Sequence, residues 1–387
     1  MNILLFSDSY LPYVSGVVRS IEMMVETLSE KEVRFFLVVP AYPGTYDVER
    51  THYRVASFAA PTAPAFRIPF FDTPGLRRWL RQIPADVVHV HSPFVTGLRG
   101  LREARRRSIP CLFTYHTRYG AYAHYVPMLG RSLSKPIDDY ARAFARRVDA
   151  VVAPSRELAD QLAEAGVAAV VIPTGVRAEH LQGGAGELFR RKFHLSANQA
   201  VAISVGRLAK EKHLDFVLRA LAHLGPEQRP VLLLAGEGPA RGPLQQLALR
   251  LGIEASVHFV GTLQGEALRD LYAAADFFVT ASLTETQGLS AAEALTCGLP
   301  VVAVDAPGLR ETVENGVNGL LVSNDENHFA TAIATMTKDR TLRQRLADGA
   351  RTSAVRWSAE RSASLLLELY EQLANSTPFS HRLLFTP

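Results

Sequence analysis

Two glutamates, Glu285 and Glu293, frame the seven residues Thr286-Gln287-Gly288-Leu289-Ser290-Ala291-Ala292. The apolar run Phe277–Ala281 ahead of them reads as a strand, and Ser290–Leu295, stopped by Gly298 and Pro300, reads as a helix start. Glu285 then lies in the loop and Glu293 inside the helix, with the N–H groups of Gly288, Leu289 and Ser290 facing the loop opening. A helix start beside a glycine attracts anions through its unpaired N–H groups and its macrodipole. Carboxylates beside such a site suit an anion that carries hydroxyls, whose hydrogen bonds they accept. The plainer alternative is a solvated helix with scattered glutamates.

Other segments carry comparable chemistry. In Ser204–Lys212, Arg207 is a planar fork and Lys212 a point charge, and together they can clamp a diphosphate, unless they form a surface charge pair. Gly236 in Gly236-Glu237-Gly238 and Leu263 in Gly261-Thr262-Leu263 belong to short loops suited to a flat base. His116, after Phe113-Thr114-Tyr115, can hydrogen-bond a sugar hydroxyl, although a lone histidine is more often structural; His91 is read as structural. Gly16 ends the loop that begins at Ser7, where backbone can approach a phosphate closely; a simple turn glycine is the other reading.

Positioning these residues falls to alternating elements. Ile3–Phe6, Phe35–Val39, Asp86–Val90, Cys111–Tyr115, Asp149–Ala153 and Ala169–Ile172 are strand-like, with helical patterns between most of them. The second half repeats the scheme with Val201–Val205, Val231–Ala235, Val257–Val260, Phe277–Ala281, Pro300–Val304 and Gly319–Val322. Such runs predict an α/β chain of two doubly wound, mostly parallel sheets covered on both faces. Ligands of open α/β sheets bind at the carboxyl ends of strands, where the candidates fall. The expected division is residues 1–174, residues 175–356, a helix over 357–375 packing back on the first domain, and a tail over 376–387.

The 387 residues carry a net charge of +4. Residues 1–173 hold 21 Lys and Arg against 16 Asp and Glu, and the remainder 21 against 22. The excess is clustered at Arg77, Arg78 and Arg81, at Arg99–Arg107 and at Arg142–Arg147; such clusters attract polyanions or anionic lipid head groups, or are solvated helix faces. Nucleic acid is not expected, since the excess is modest and no binding motif appears. Cys111 and Cys297 read as reduced core residues. No apolar run approaches the roughly 18 residues of a membrane span, and Met1–Phe6 lacks a signal-peptide pattern.

Taken in order, the Gly16 loop, Thr114-Tyr115-His116-Thr117, Gly206-Arg207-Leu208 with Lys212, Gly236-Glu237-Gly238 and the paired glutamates resemble the retaining glycosyltransferase family 4 over nearly the whole chain. The resemblance implies the GT-B fold, two Rossmann-like domains facing across a cleft, the first on the acceptor side and the second binding a nucleotide sugar. It implies a catalytic set of His116, Glu285, Arg207 and Lys212. Arg207 and Lys212 would hold the donor diphosphate, with Gly16 approaching it. Glu293 would hold the ribose. Glu285 and the backbone of Gly288, Leu289 and Ser290 would hold the donor sugar, which His116 contacts from the other side; Gly236 and Leu263 complete the donor set.

Two departures mark a subgroup. Thr286-Gln287 stands where the family usually has Gly-Phe, and Ser15-Gly16 where it often has paired glycines. With Tyr10-Leu11-Pro12 and the tyrosine segment from His116 to Tyr125, these resemble bacterial diacylglycerol glycosyltransferases, although Gly120-Ala121 replaces their usual acidic pair and leaves the exact acceptor open. The implied reaction moves a hexose from UDP-glucose or UDP-galactose to a membrane lipid such as 1,2-diacylglycerol. It is expected to need no cofactor and no metal, as the chain has no Asp-x-Asp. The expected location is cytoplasmic, peripheral at the inner face of the membrane, on an anionic surface. Tyr119, Tyr122, Tyr125, Phe70, Phe71, Arg105 and Arg106 are the expected acceptor and membrane contacts, because aromatic side chains among basic ones suit a lipid interface. The alternatives are a family member acting on phosphatidylinositol or a polysaccharide precursor, a nucleotide-sugar epimerase, and a non-catalytic binding module.

Overall fold

The strand Asn2–Phe6 shows how the first half is built. Leu4 and Phe6 point into one apolar cluster and Ile3 and Leu5 into the other, all four sealed from water. A strand buried on both faces needs neighbours on both sides and helices above and below. The computed structural model, which describes residues 1–45, 51–60, 63–70, 72–120, 130–196 and 198–376, has that arrangement twice.

Among the described residues, seven parallel strands form the first sheet, in the order His52–Val55, Arg34–Pro40, Asn2–Phe6, Val87–Val90, Cys111–Thr114, Ala150–Ala153, Val170–Val171. Six more form the second, in the order Val257–Gly261, Val231–Ala235, Val201–Val205, Phe277–Thr280, Val301–Val304, Gly319–Val322. The chain reverses direction across each sheet at one place. That switch lies between Asn2–Phe6 and Val87–Val90 in the first sheet, and between Val201–Val205 and Phe277–Thr280 in the second. In open α/β sheets, ligands bind beyond the strand ends at such a switch point. The expected α/β architecture of doubly wound parallel sheets is what the structure has.

The chain divides into two compact units. One is Met1–Gly175 joined by the helix Ala359–Ala374, and the other is Val176–Ser358. The closing helix packs on the helix Gly16–Ser29, and its fully buried Tyr370 reaches His89 Nδ1 at 2.6 Å. No described helix is long and apolar enough to cross a membrane. The sequence did not announce the edge strand His52–Val55 or the antiparallel hairpin of Ser57–Ala60 with Ala63–Pro69. The edge strand has three half-buried positions and one buried, and Ser57–Ala60 mixes buried and exposed ones, so these short runs lack the continuous apolar signal of the central strands.

Candidate active site

The second sheet brings the charged candidates together. Beyond Val201–Val205 the chain turns through Gly206, passes half-buried Arg207, and reaches Lys212 in the short turn Lys210–Lys212. A Cβ built on Gly206 would lie 3.8 Å from Lys212 Cε, so the lysine stem runs back over the strand end. Its Nζ lies 2.5 Å from Oε1 of Glu285, in the loop after Phe277–Thr280. The ion pair therefore spans the switch point. Burial alone would raise the Glu285 carboxyl, but the charge and hydrogen bond of Lys212, with the Ser282 hydroxyl, outweigh it and hold it below the ordinary range.

The loop that follows is fixed by its neighbours. Gly288 adopts φ +77 and caps the eight-residue helix Leu289–Thr296, whose first N–H groups have no intrahelical acceptor. Thr312 donates to the carbonyl of Gln287, and both side chains are buried. Glu293, one turn into the helix, is buried and accepts from the Tyr272 hydroxyl at 3.0 Å. Gly236 has a steric reason to be glycine: a Cβ there would lie 1.9 Å from the Gly206 carbonyl oxygen. Leu263 is half-buried against the core on that side of the sheet.

In the first unit, Gly16 opens the helix Gly16–Ser29, with Ser15 Oγ accepting from Val18 N at 3.3 Å. Apart from its chain neighbours and its own helix backbone, no described atom lies within 4 Å of a Cβ built on Gly16, so packing against the rest of the protein does not demand glycine there. His116 is buried, and its Nε2 lies 2.7 Å from His91 Nδ1. His91 stands beside His89, with ring centroids 4.0 Å apart, and His89 bonds Thr114 Oγ1 at 2.7 Å. Burial lowers His116 to about 3 and takes the other two well below the usual value, so the row is neutral.

The residues expected at a lipid surface separate. Phe70 is 52% exposed and pairs with Phe58, also exposed, at 5.8 Å. Arg105 and Arg106 are exposed on the helix Val95–Arg107. Tyr119 is not on a surface. Its ring is buried between Tyr115 and Phe94, because that packing continues the first unit's core to the strand ends. Tyr122, Tyr125 and Phe71 lie outside the described residues.

Residues 14–180 match the family model Glycosyltransferase Family 4, and residues 186–353 match Glycosyl transferases group 1. The chain is 34% identical over 349 residues to an alpha-monoglucosyldiacylglycerol synthase of Streptococcus pneumoniae, covering 86% of this chain and 77% of that protein. The chain belongs to glycosyltransferase family 4. A GDP-mannose-dependent alpha-mannosyltransferase of Mycobacterium tuberculosis is 32% identical to this family 4 chain over 385 residues, 96% of each. A solved sucrose-phosphate synthase of Thermosynechococcus elongatus superposes with a TM-score of 0.81 at 23% identity, over 96% of this chain and 98% of that one. The family 4 chain therefore has the GT-B fold and is a retaining glycosyltransferase with a nucleotide-sugar donor.

One residue of this family 4 chain went unnoticed in the sequence. Asp8 follows the strand Asn2–Phe6 at the first sheet's switch point, is buried, and accepts from Thr96 N at 2.8 Å through Oδ1. Its Oδ2 has no hydrogen-bond partner among the described residues, nor do His91 Nε2, Thr96 Oγ1 and Tyr119 Oη. Burial pushes the Asp8 carboxyl up to about 6 despite the bonds from Thr96 and Ser92. A single acid between Ser7 and Ser9 reads as a turn, so its spacing held no signal.

Proposed function

We propose that the protein transfers glucose or galactose from a uridine diphosphate sugar to a membrane lipid such as 1,2-diacylglycerol, with retention and without a metal ion. The observation that carries the reading is the Lys212–Glu285 pair at the switch point, beside the free N–H groups of the helix that starts at Leu289. Arg207 and Lys212 take the diphosphate, and the helix start adds to them, so charge on the leaving group is met by fixed positive groups. Glu285, kept ionised, orients sugar hydroxyls and stabilises positive charge on the sugar, Leu289 and Ser290 offer N–H donors, and Glu293 binds the ribose. Gly16 and His116 keep the donor roles that the family resemblance implies; the open space at Gly16 supports close backbone approach there. The acceptor attacks from the face the diphosphate leaves, and the diphosphate takes its proton.

A lipid acceptor is supported by the Streptococcus pneumoniae relative, whose name includes diacylglycerol, and by the exposed Phe58–Phe70 pair in a basic unit. It places the protein at a membrane surface, peripherally. The mannosyltransferase relative, aligned over nearly the full length, favours a second reading in which the donor is GDP-mannose. Both are tested by incubating the protein with labelled UDP-glucose, UDP-galactose and GDP-mannose, diacylglycerol in mixed micelles, and chelator in half the samples. Glucosyl or galactosyl lipid formed equally with chelator supports the first reading. Product only from GDP-mannose selects the second, and loss with chelator removes the metal-independent part.

A further inference from the structure

Two helices of the first unit, Pro74–Gln82 and Val95–Arg107, turn arginines toward one cavity of about 320 Å³. Arg77 and Arg81 stand one turn apart on the first helix. Arg99, Arg102 and Arg106 follow at spacings of three and four on the second, so each row shares a helix face. Asp72 and Glu103 also line the cavity, leaving an excess of three positive charges.

The acids hold the arginines in place more than they fill the cavity. Glu103 is fully buried and accepts from Arg99 at 2.9 Å, Arg106 at 3.2 Å and Arg107 at 2.6 Å. Arg107 also donates to the carbonyls of Ile83, at 2.7 Å, and Leu80, which ties the end of one helix to the end of the other. Asp72 takes Arg77 Nε at 2.7 Å. The buried Nε of Arg99 has no hydrogen-bond partner among the described residues, and Asp72 Oδ1 stops 3.6 Å short of it. Guanidinium forks arranged around a fixed carboxylate, with charge to spare, match the tetrahedral oxygens of a phosphate.

We propose that this cavity binds a phosphate group, that of an anionic phospholipid or a free phosphate ion. The surroundings favour the lipid. Phe70, exposed and paired with Phe58, lies two residues before Asp72, and its strand, Ala63–Pro69 extended by Phe70, packs on the arginine helix. An aromatic pair that enters the acyl boundary would set the cavity at head-group depth. The inference deepens the membrane part of the proposed function and rests on it only for the source of the phosphate.

Binding is measured without turnover, by calorimetric titration with inorganic phosphate and by flotation with phosphatidylcholine vesicles containing or lacking phosphatidylglycerol. Arg81→Gln/Arg102→Gln empties the cavity of two forks at exposed positions, and Arg34→Gln/Arg78→Gln removes the same charge from exposed sites outside it. Phosphate affinity and phosphatidylglycerol-dependent flotation should both fall about tenfold or more in the first pair and change little in the second. Arg81→Lys/Arg102→Lys, which keeps charge without the fork, should fall between. Loss of phosphate binding with unchanged flotation keeps the cavity and assigns it to free phosphate. Equal losses in the two glutamine pairs, or no phosphate binding by the unaltered protein, overturn the proposal. Glycosyl transfer in neutral detergent micelles reports on the proposed reaction independently of these outcomes.

Discussion

Lys212 Nζ lies 2.5 Å from Glu285 Oε1, although the two are 73 residues apart in the chain. In the proposed site, a donor diphosphate arriving at Lys212 would share the lysine with the carboxylate or displace it. On that reading, Lys212→Ala removes one diphosphate contact and leaves the half-buried Glu285 without its counter-charge. We expect steady-state turnover to fall by about 10²–10³, with only partial recovery in Lys212→Arg.

Glu285→Gln keeps the shape of the side chain and removes its charge. Product should still form, slowly, if the carboxylate orients and stabilises, as proposed, and does not attack. Intact-protein mass spectrometry on the unaltered enzyme during turnover is the check: a hexose adduct on Glu285 would contradict this account.

Glu293 is held by the Tyr272 hydroxyl at 3.0 Å inside the helix that follows. If it binds the ribose in ground state and transition state alike, Glu293→Ala raises the donor KM by about tenfold and changes kcat much less. Tyr272→Phe should raise KM by a smaller factor, since it loosens the carboxylate without removing it. Equal falls in kcat and kcat/KM would count against a ribose role.

Asp8 titrates near 6 when folded, against an ordinary value of 3.8. The folded chain therefore binds this proton more tightly than the unfolded one. Stability from this group is greatest below the unfolded value and is lost as pH rises toward 6, by up to about 3 kcal/mol. Asp8→Asn should cancel that loss. Urea unfolding of both proteins between about pH 4 and pH 7 should show the variant gaining relative stability as pH rises; a constant difference would sink the assignment.

Tyr370→Phe removes the partner of His89 Nδ1 from a fully buried position. An unpaired buried imidazole nitrogen costs about 1–3 kcal/mol, which thermal unfolding should register as a lower Tm. A Tm equal to that of the unaltered protein would mean that water replaces the hydroxyl.

The central strands were legible because burial on both faces forces uninterrupted apolar runs such as Ile3–Phe6 and Val201–Val205. The turn at Gly288 was legible for a similar reason: a strand, a glycine and small helix formers leave the backbone few options. The bond between Lys212 and Glu285 was not, since it depends on which strands become neighbours, and no local pattern encodes that the first strand of the second sheet lies beside the fourth. Burial of Tyr119 escaped the reading too, because an aromatic among basic residues looks alike whether its ring meets lipid or Phe94. His91 was read as structural, and its bond to His116 depends on two strands whose adjacency the sequence does not spell out.

The helix Ala359–Ala374 belongs to the unit that begins at Met1, whereas Val176–Ser358 is one unbroken stretch. During synthesis the later unit can therefore complete itself first. The earlier one emerges with the apolar faces of Ile21 and Met24 uncovered, and stays so until Leu366, Leu369, Tyr370 and Leu373 leave the ribosome. A stop codon anywhere after Ser358 but before Tyr370 would leave the second unit whole and strand the first with a hydrophobic groove, so nonsense variants in this region should appear as aggregates or degradation fragments rather than as weakened enzymes.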